Sequence, residues 1–378
     1  MGADGGHART QTHSLELEGR FTTGLLRHHI LLGAEALWQN RTPYLTTTAG
    51  AVPTLSLFNP DLTQQHVGPL VLSSDNDHRA RNLGAFVQDQ ISLPGGIELV
   101  VGLRADRFRI RSRSRSATGV ESVAARTTDT LSPRIGIVYT PTWATNHSAY
   151  ATWTKGFAPV GAGTIGITPP TNSGAAAANA LDPEKTRLFE VGLKSGWTSQ
   201  LETTLSVYDL DLYNRRTADP DRPGFVLLIG RQRSRGVEAS IAGSVYGNFG
   251  LRGGVGYQDA RILRDTPSSA GVSLAGNRPA NIAKVNGSLF ATYRPPAGLF
   301  AEAGVIFVGS RWADNANTVM LPGYERIDVM VGYRFKKFDI RAAVTNVADV
   351  VWYRTATSAG QIQPGNPRTA TVSANYRF

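Results

Sequence analysis

The side chains able to do chemistry are few. Cysteine is absent, which removes disulfides, thiolate metal sites and cysteine nucleophiles together. The histidines are His7, His13, His28, His29, His66, His78 and His147. The adjacent pair His28 and His29 points to opposite faces of a strand and cannot share a metal ion. Neither a Gly-x-Ser-x-Gly elbow nor a phosphate-binding Gly-Lys-Ser/Thr loop occurs, so nucleophilic hydrolysis and nucleotide chemistry lack their usual frames. The chain is therefore expected not to be an enzyme, and to carry neither cofactor nor metal. The conspicuous feature is Arg107, Arg109, Arg111, Arg113 and Arg115, five arginines at spacing two. In a strand they share one face, and guanidinium forks suit bidentate pairing with phosphate or carboxylate.

The elements that would position these residues are strands. Charged residues are 18% of the chain and glycines number 40, a composition that favours strands and turns over long helices. The excess of 39 Lys plus Arg over 29 Asp plus Glu gives +10, compatible with nucleic acid, anionic headgroups or an anionic ligand. Nucleic acid is not the expected partner, because no recognition fold or aromatic interleaving accompanies the arginines. No apolar run is long enough for a membrane helix. Apolar and polar residues instead alternate from end to end, as in Ile97, Leu99, Val101, Leu103 and Ala105 against Glu98, Gly102, Arg104 and Asp106. About fifteen such segments are legible. Asp89 falls on the apolar parity of its segment, and Val207 with Tyr208 and Leu210 predicts a register shift there, a β-bulge being one form of it.

The connections alternate strictly. Short turns at 94–96, 141–146, 198–200, 244–248, 295–297 and 336–337 interleave with long loops near 40–80, 112–130, 156–185, 214–224, 262–279, 312–323 and 353–367. Short turns on one side and long loops on the other are the mark of an outer-membrane barrel, and Trp143, Trp197, Tyr293, Phe300, Phe335 and Phe338 flank the short side as an interfacial girdle would. The fold expected is all-β, a transmembrane antiparallel up-and-down β-barrel. The arginine run continues the lipid parity of its strand and would emerge at the outer headgroups. Lipopolysaccharide phosphates are one expected contact, and a solvated loop extension is an equal alternative.

The segment Gly84-Ala-Phe-Val-Gln-Asp89, then Gly102-Leu-Arg-Ala-Asp106, Pro183-Glu-Lys-Thr186 with Glu190-Val-Gly192, Ser234-Arg-Gly-Val-Glu238, Pro322-Gly-Tyr324 and Asn346-Val-Ala-Asp349 with Tyr353 resemble, in order and spacing, strand signatures of the TonB-dependent receptors, and within them the siderophore branch. Ala348 stands where that family usually has Phe. The resemblance runs from about residue 15 to the end. It implies the C-terminal part of a barrel, about fifteen of 22 strands, over residues 13–378, with the plug domain absent and residues 1–12 a non-native or disordered start. The start at Met1 has neither a basic nor an apolar region typical of a signal peptide. The implied function is outer-membrane uptake of a ferric siderophore or similar metal chelate, energised through the TonB complex in the full-length protein. A passive porin-like channel and a non-functional truncated fragment are the alternatives. Tyr44, Phe157, Trp312, Trp352, Tyr353 and Arg354 are the candidate ligand contacts. Tyr376 and Phe378 are the implied signal to the outer-membrane assembly machinery. The protein is expected to be a monomer.

Overall fold

Period-2 alternation satisfies its backbone only in a sheet, and each segment here finds its partner in the next one along the chain. The computed structural model describes residues 2–48, 63, 68–158, 183–218, 226–265 and 272–376. The strands are β1 (Gly2–Thr23), β2 (Leu26–Thr48), β3 (Leu70–Leu93), β4 (Ile97–Ser116), β5 (Glu121–Tyr139), β6 (His147–Ala158), β7 (Glu184–Thr198), β8 (Leu201–Ala218), β9 (Val226–Tyr246) and β10 (Phe249–Arg264). They continue with β11 (Val285–Tyr293), β12 (Gly298–Val308), β13 (Arg311–Trp312), β14 (Met320–Leu321), β15 (Tyr324–Arg334), β16 (Phe338–Thr345), β17 (Tyr353–Ser358), β18 (Gln361–Pro364) and β19 (Thr369–Tyr376). Fifteen form one antiparallel sheet with neighbours in chain order, ending on β1 and β19. β13–β14 and β17–β18 are separate two-stranded hairpins.

The two faces of this sheet differ as a membrane wall requires. Leu83, Leu131, Leu193 and Val207 are 52–62% exposed on one face, with none of the described residues covering them. The other face carries paired charges, such as Arg326–Asp328 at 2.9 Å and Arg294–Glu302 at 2.8 Å. A soluble sheet would cover its apolar face with a second layer; here that cover is left to lipid. Asp89, the residue that breaks the apolar parity, is matched by His28, whose Nδ1 lies 2.7 Å from its carboxylate while Nε2 lies 2.7 Å from Thr23 Oγ1.

On the polar face, aromatic rings lie flat across strands over glycines. A Cβ on Gly33 would overlap the Phe86 ring, and one on Gly332 would overlap Phe300. The missing side chain is what lets the ring lie against the wall. Guanidiniums then stack on these rings: Arg104 over Phe86 at 5.8 Å, Arg334 and Arg341 over Phe300 at 5.3 and 5.8 Å, and Arg252 over Phe290 at 4.1 Å.

Several expectations need correction. Residues 2–12, expected to be non-native or disordered, are part of β1 and pair continuously with residues 37–47. The loop expected at 112–130 contracts to 117–120, because β4 and β5 stay in register as far as Arg115↔Glu121; Ile110, Val123, Thr127, Thr128 and Thr130 in this stretch favour strand, although their neighbours are polar. The register shift expected at Val207 to Leu210 lies a few residues further on. Register holds from Leu201 to Tyr213 against β9 and shifts only beyond Tyr213, since Leu210 and Leu212 turn inward once the wall has left the apolar band. The segments 312–323 and 353–367 are not irregular loops but contain β13–β14 and β17–β18.

Candidate functional site

The long-loop side gathers three segments that are distant in sequence. The β13–β14 and β17–β18 hairpins share a small core of Ala313, Leu321 and Ala356, with Val319, Tyr353 and Ile362 packed on it, and residues 277–283 join them through hydrogen bonds. Asparagines stitch the pieces through backbone groups. Asn281 Nδ2 donates to Ala356 O at 2.7 Å while its Oδ1 accepts from Ala356 N at 2.9 Å. Asn317 Oδ1 accepts from Arg278 N at 3.0 Å and its Nδ2 donates to Arg278 O at 2.8 Å. Asn315 Oδ1 accepts from Ala280 N at 2.9 Å. Asn281 and Asn317 both adopt positive φ, a conformation asparagine tolerates better than most residues. Asp314 caps the β13–β14 turn by accepting from Thr318 Oγ1 at 2.8 Å and from the Thr318 and Val319 amides. Burial pushes its carboxyl upward, but these bonds outweigh that and hold it below the ordinary range.

Beneath this cluster sits a guanidinium and aromatic group. Arg311 is 4% exposed and its Nη2 donates to the carbonyls of Tyr353 and Arg354, while its Nη1 has no partner among the described residues. Its Cζ lies 5.9 Å from the Tyr324 ring, and Tyr324 meets Trp352 at 4.9 Å between centroids. Arg326 stands over Trp352 at 5.1 Å and pairs with Asp328. Asn346, 1% exposed and at positive φ, ends β16. Its Nδ2 donates to Val350 O and Asn366 O, and its backbone N to Asp328. Asp349 accepts from Arg368 N at 2.7 Å, so the Asn346 to Asp349 motif is a clasp that fixes the last loop to the start of β19.

Of the residues expected to contact ligand, Trp312, Trp352, Tyr353 and Arg354 fall in this neighbourhood. Tyr353 packs in the small core and Arg354 contributes a carbonyl to Arg311 as well as an exposed side chain. Tyr44 and Phe157 do not join them: Tyr44 shares the outward parity of Leu32 and Trp38, and Phe157 sits opposite Lys185 on β7. Arg311, Tyr324 and Arg326 are the members that sequence reading missed. Their types matched those chosen, but they stand inside or beside strands rather than in loops. Tyr376 ends β19 opposite Phe338, and Phe378 lies outside the described residues. The five arginines hold one exposed face of β4. Arg107 is bidentate with Asp129 at 2.8 and 3.0 Å, and Arg113 donates to Glu121 at 2.8 Å, which holds the Glu121 carboxyl below its ordinary value. Among the described residues no group of three or more His, Cys, Asp or Glu side chains is placed to hold a metal.

The chain matches the family described as TonB dependent receptor-like, beta-barrel, over residues 2–347. It is 27% identical to the metal-pseudopaline receptor CntO of Pseudomonas aeruginosa over 96% of this chain and 50% of that protein. It is 25% identical to the ferrioxamine B receptor of Salmonella typhimurium over 96% of this chain and 49% of that protein. The crystal structure of the siderophore receptor PiuA from Acinetobacter baumannii superposes with a TM-score of 0.84 at 23% identity, covering 98% of this chain and 56% of that one. The chain thus spans about half the length of the curated relatives it matches.

Proposed function

Because the chain belongs to the TonB-dependent receptor-like β-barrel family and so to the outer membrane, we propose that it forms the loop-bearing wall of a receptor that imports a ferric siderophore or similar metal chelate. Energy for transport comes through the TonB complex acting on the full-length protein. The observation that carries this reading is the rim built by Arg311, Tyr324, Arg326 and Trp352. Arg326 is held by stacking on Trp352 and by the Asp328 carboxylate, and the buried Arg311 by the carbonyls of Tyr353 and Arg354 behind Tyr324, so both guanidiniums are ordered before a chelate reaches the rim. Flat rings beside them match the aromatic or planar ligating groups by which many chelates hold iron.

The test is uptake by cells. Deleting the intact gene should abolish energy-dependent uptake of one class among labelled ferric hydroxamate, catecholate and aminocarboxylate chelates, and an uncoupler should do the same in the parent strain. Restoring the gene with Trp352→Ala should leave barrel assembly intact and weaken that uptake. Deletion that alters only energy-independent entry of small solutes would favour a passive channel. Unchanged uptake of every chelate would remove the proposal.

A further inference from the structure

We propose that Thr23, His28 and Asp89 form a nucleophilic triad at the short-turn end of the wall, and that it cleaves acyl ester bonds of glycerophospholipids. The site stands apart from the rim that carries the transport reading. His28 Nδ1 lies 2.7 Å from Asp89 Oδ2, and Nε2 lies 2.7 Å from Thr23 Oγ1. A carboxylate only accepts, so Nδ1 is assigned the proton, and Nε2 of the neutral ring is left to accept from the Thr23 hydroxyl. Hydroxyl to imidazole to carboxylate is the order by which a ring nitrogen activates an alcohol. The imidazole is 12% exposed, and the Phe21 ring lies parallel to it at 4.7 Å between centroids, so its orientation is fixed. Thr23 itself is exposed.

The register puts all three on the lipid-facing parity: His28 is opposite Phe21 and Ile91, and Asp89 is opposite Ile30 and Val101. Ionisable side chains on such a face are costly, and function is the usual reason for keeping them. Thr23 ends β1 beside the two-residue turn of Gly24 and Leu25, and short turns lie where the apolar band gives way to headgroups. The ester carbonyls of a phospholipid sit at that boundary and so meet Thr23. Gly24 has φ of 61° and open space where a Cβ would stand, which leaves room for a carbonyl beside the hydroxyl. The Gly24 and Leu25 amides make no hydrogen bond among the described residues and are the donors for an oxyanion formed there. Leu15, Leu17 and Phe21 are exposed along the same face of β1 and offer a bed for the acyl chain. In the first half-reaction Thr23 Oγ bonds to the ester carbon and gives its proton to His28 Nε2. The bond from that carbon to the glycerol oxygen then breaks, and the oxygen takes the proton from Nε2 and leaves as the lysophospholipid. In the second, water attacks the acyl-threonine with His28 again as base, releasing the fatty acid and restoring the hydroxyl.

The experiment uses the protein expressed from its intact gene in a host without an outer-membrane phospholipase of its own, with correct assembly checked by heat-modifiable migration. Probes are dioleoyl phosphatidylethanolamine in mixed micelles, p-nitrophenyl acetate, and a long-chain alkyl fluorophosphonate. The parent protein should release oleate and lysophospholipid, and the fluorophosphonate should label Thr23, located by peptide mass spectrometry. Thr23→Val and His28→Gln should each lower release by about 100-fold or more, the order expected for loss of the nucleophile or the general base. Thr23→Ser should retain activity, and Thr23→Ala replaces Thr23→Val if that variant assembles poorly. Asp89 positions the ring, so Asp89→Asn should lower release and move the His28 limb of the pH profile to lower pH, a shift that a purely structural loss does not produce. Release by the parent no greater than that of Thr23→Val overturns the triad, as does labelling at a residue other than Thr23. Cleavage of p-nitrophenyl acetate without cleavage of the phospholipid overturns the choice of substrate.

Discussion

Asn281 and the backbone of Ala356, 75 positions apart, exchange two hydrogen bonds of 2.7 and 2.9 Å, the side-chain amide taking the place of a neighbouring strand. Asn281→Ala removes both at once and leaves two buried peptide groups without partners, at about 1–3 kcal/mol each. The expected outcome is local. Cleavage by added protease within 353–364 should rise, while the heat-modifiable unfolding of the barrel stays near its original temperature. Loss of the whole barrel in this variant would show that the loop cluster is not a separate unit.

Gly33→Ala tests the ring-over-glycine packing of the polar face. A methyl group there overlaps the Phe86 ring, and displacing that ring also removes the surface on which Arg104 stacks. Overpacking of this kind costs about 1–3 kcal/mol. The unfolding midpoint should fall, and the second change Phe86→Ala should recover part of the loss by removing the clash. No recovery would mean that backbone conformation, not the ring, requires glycine.

Asp211, 2% exposed, accepts from Arg187 on one side and from Arg231 Nη2 at 2.9 Å on the other. Asp211→Asn leaves two guanidiniums facing a neutral group. Both arginines are nearly half exposed, so water screens them and the cost is discounted to about 1–3 kcal/mol. Added salt should reduce the difference between the variant and the parent in barrel unfolding. A difference that grows with salt would contradict the electrostatic account.

His78 lies on β3 above the apolar band, 4% exposed, with Nδ1 2.8 Å from Ser112 Oγ. Burial lowers its affinity for a proton, and Arg41 acts in the same direction while Asp77 opposes. The unfolded imidazole takes up a proton near its ordinary value of about 6.5 and the folded one only at lower pH. Stability contributed by neutral His78 is therefore complete above that value and declines as pH falls from it toward the folded pKa. Hydrogen exchange at residues 76–80 and 108–112, corrected for intrinsic rates, should quicken between about pH 7 and pH 5. His78→Gln should flatten the response, and a persistent pH effect in that variant would assign it elsewhere.

The wall is written in the chain's own alternation. Alternation of the kind seen in Val101, Leu103 and Ala105 decides which face meets lipid, because a side-chain period of two admits one register with the apolar set on one side. Alternating short and long connections decide which end faces outward. The same parity places the five arginines on the outer surface. What only the tertiary structure decided are relations across strands that a linear pattern does not encode. That Arg81 faces Arg109, that Asp129 takes Arg107 and leaves Arg109 free, and that four alanines from three strands align into a groove all depend on register between segments tens of residues apart. The rim was half legible: Trp352 and Arg354 stand out as loop residues, whereas Arg311 and Arg326 are recruited by rings and carbonyls that come close only when the hairpins pack together. Local patterning is set by the solvent on each side of the wall, while side-chain partners are set by the register in which neighbouring strands and hairpins come alongside.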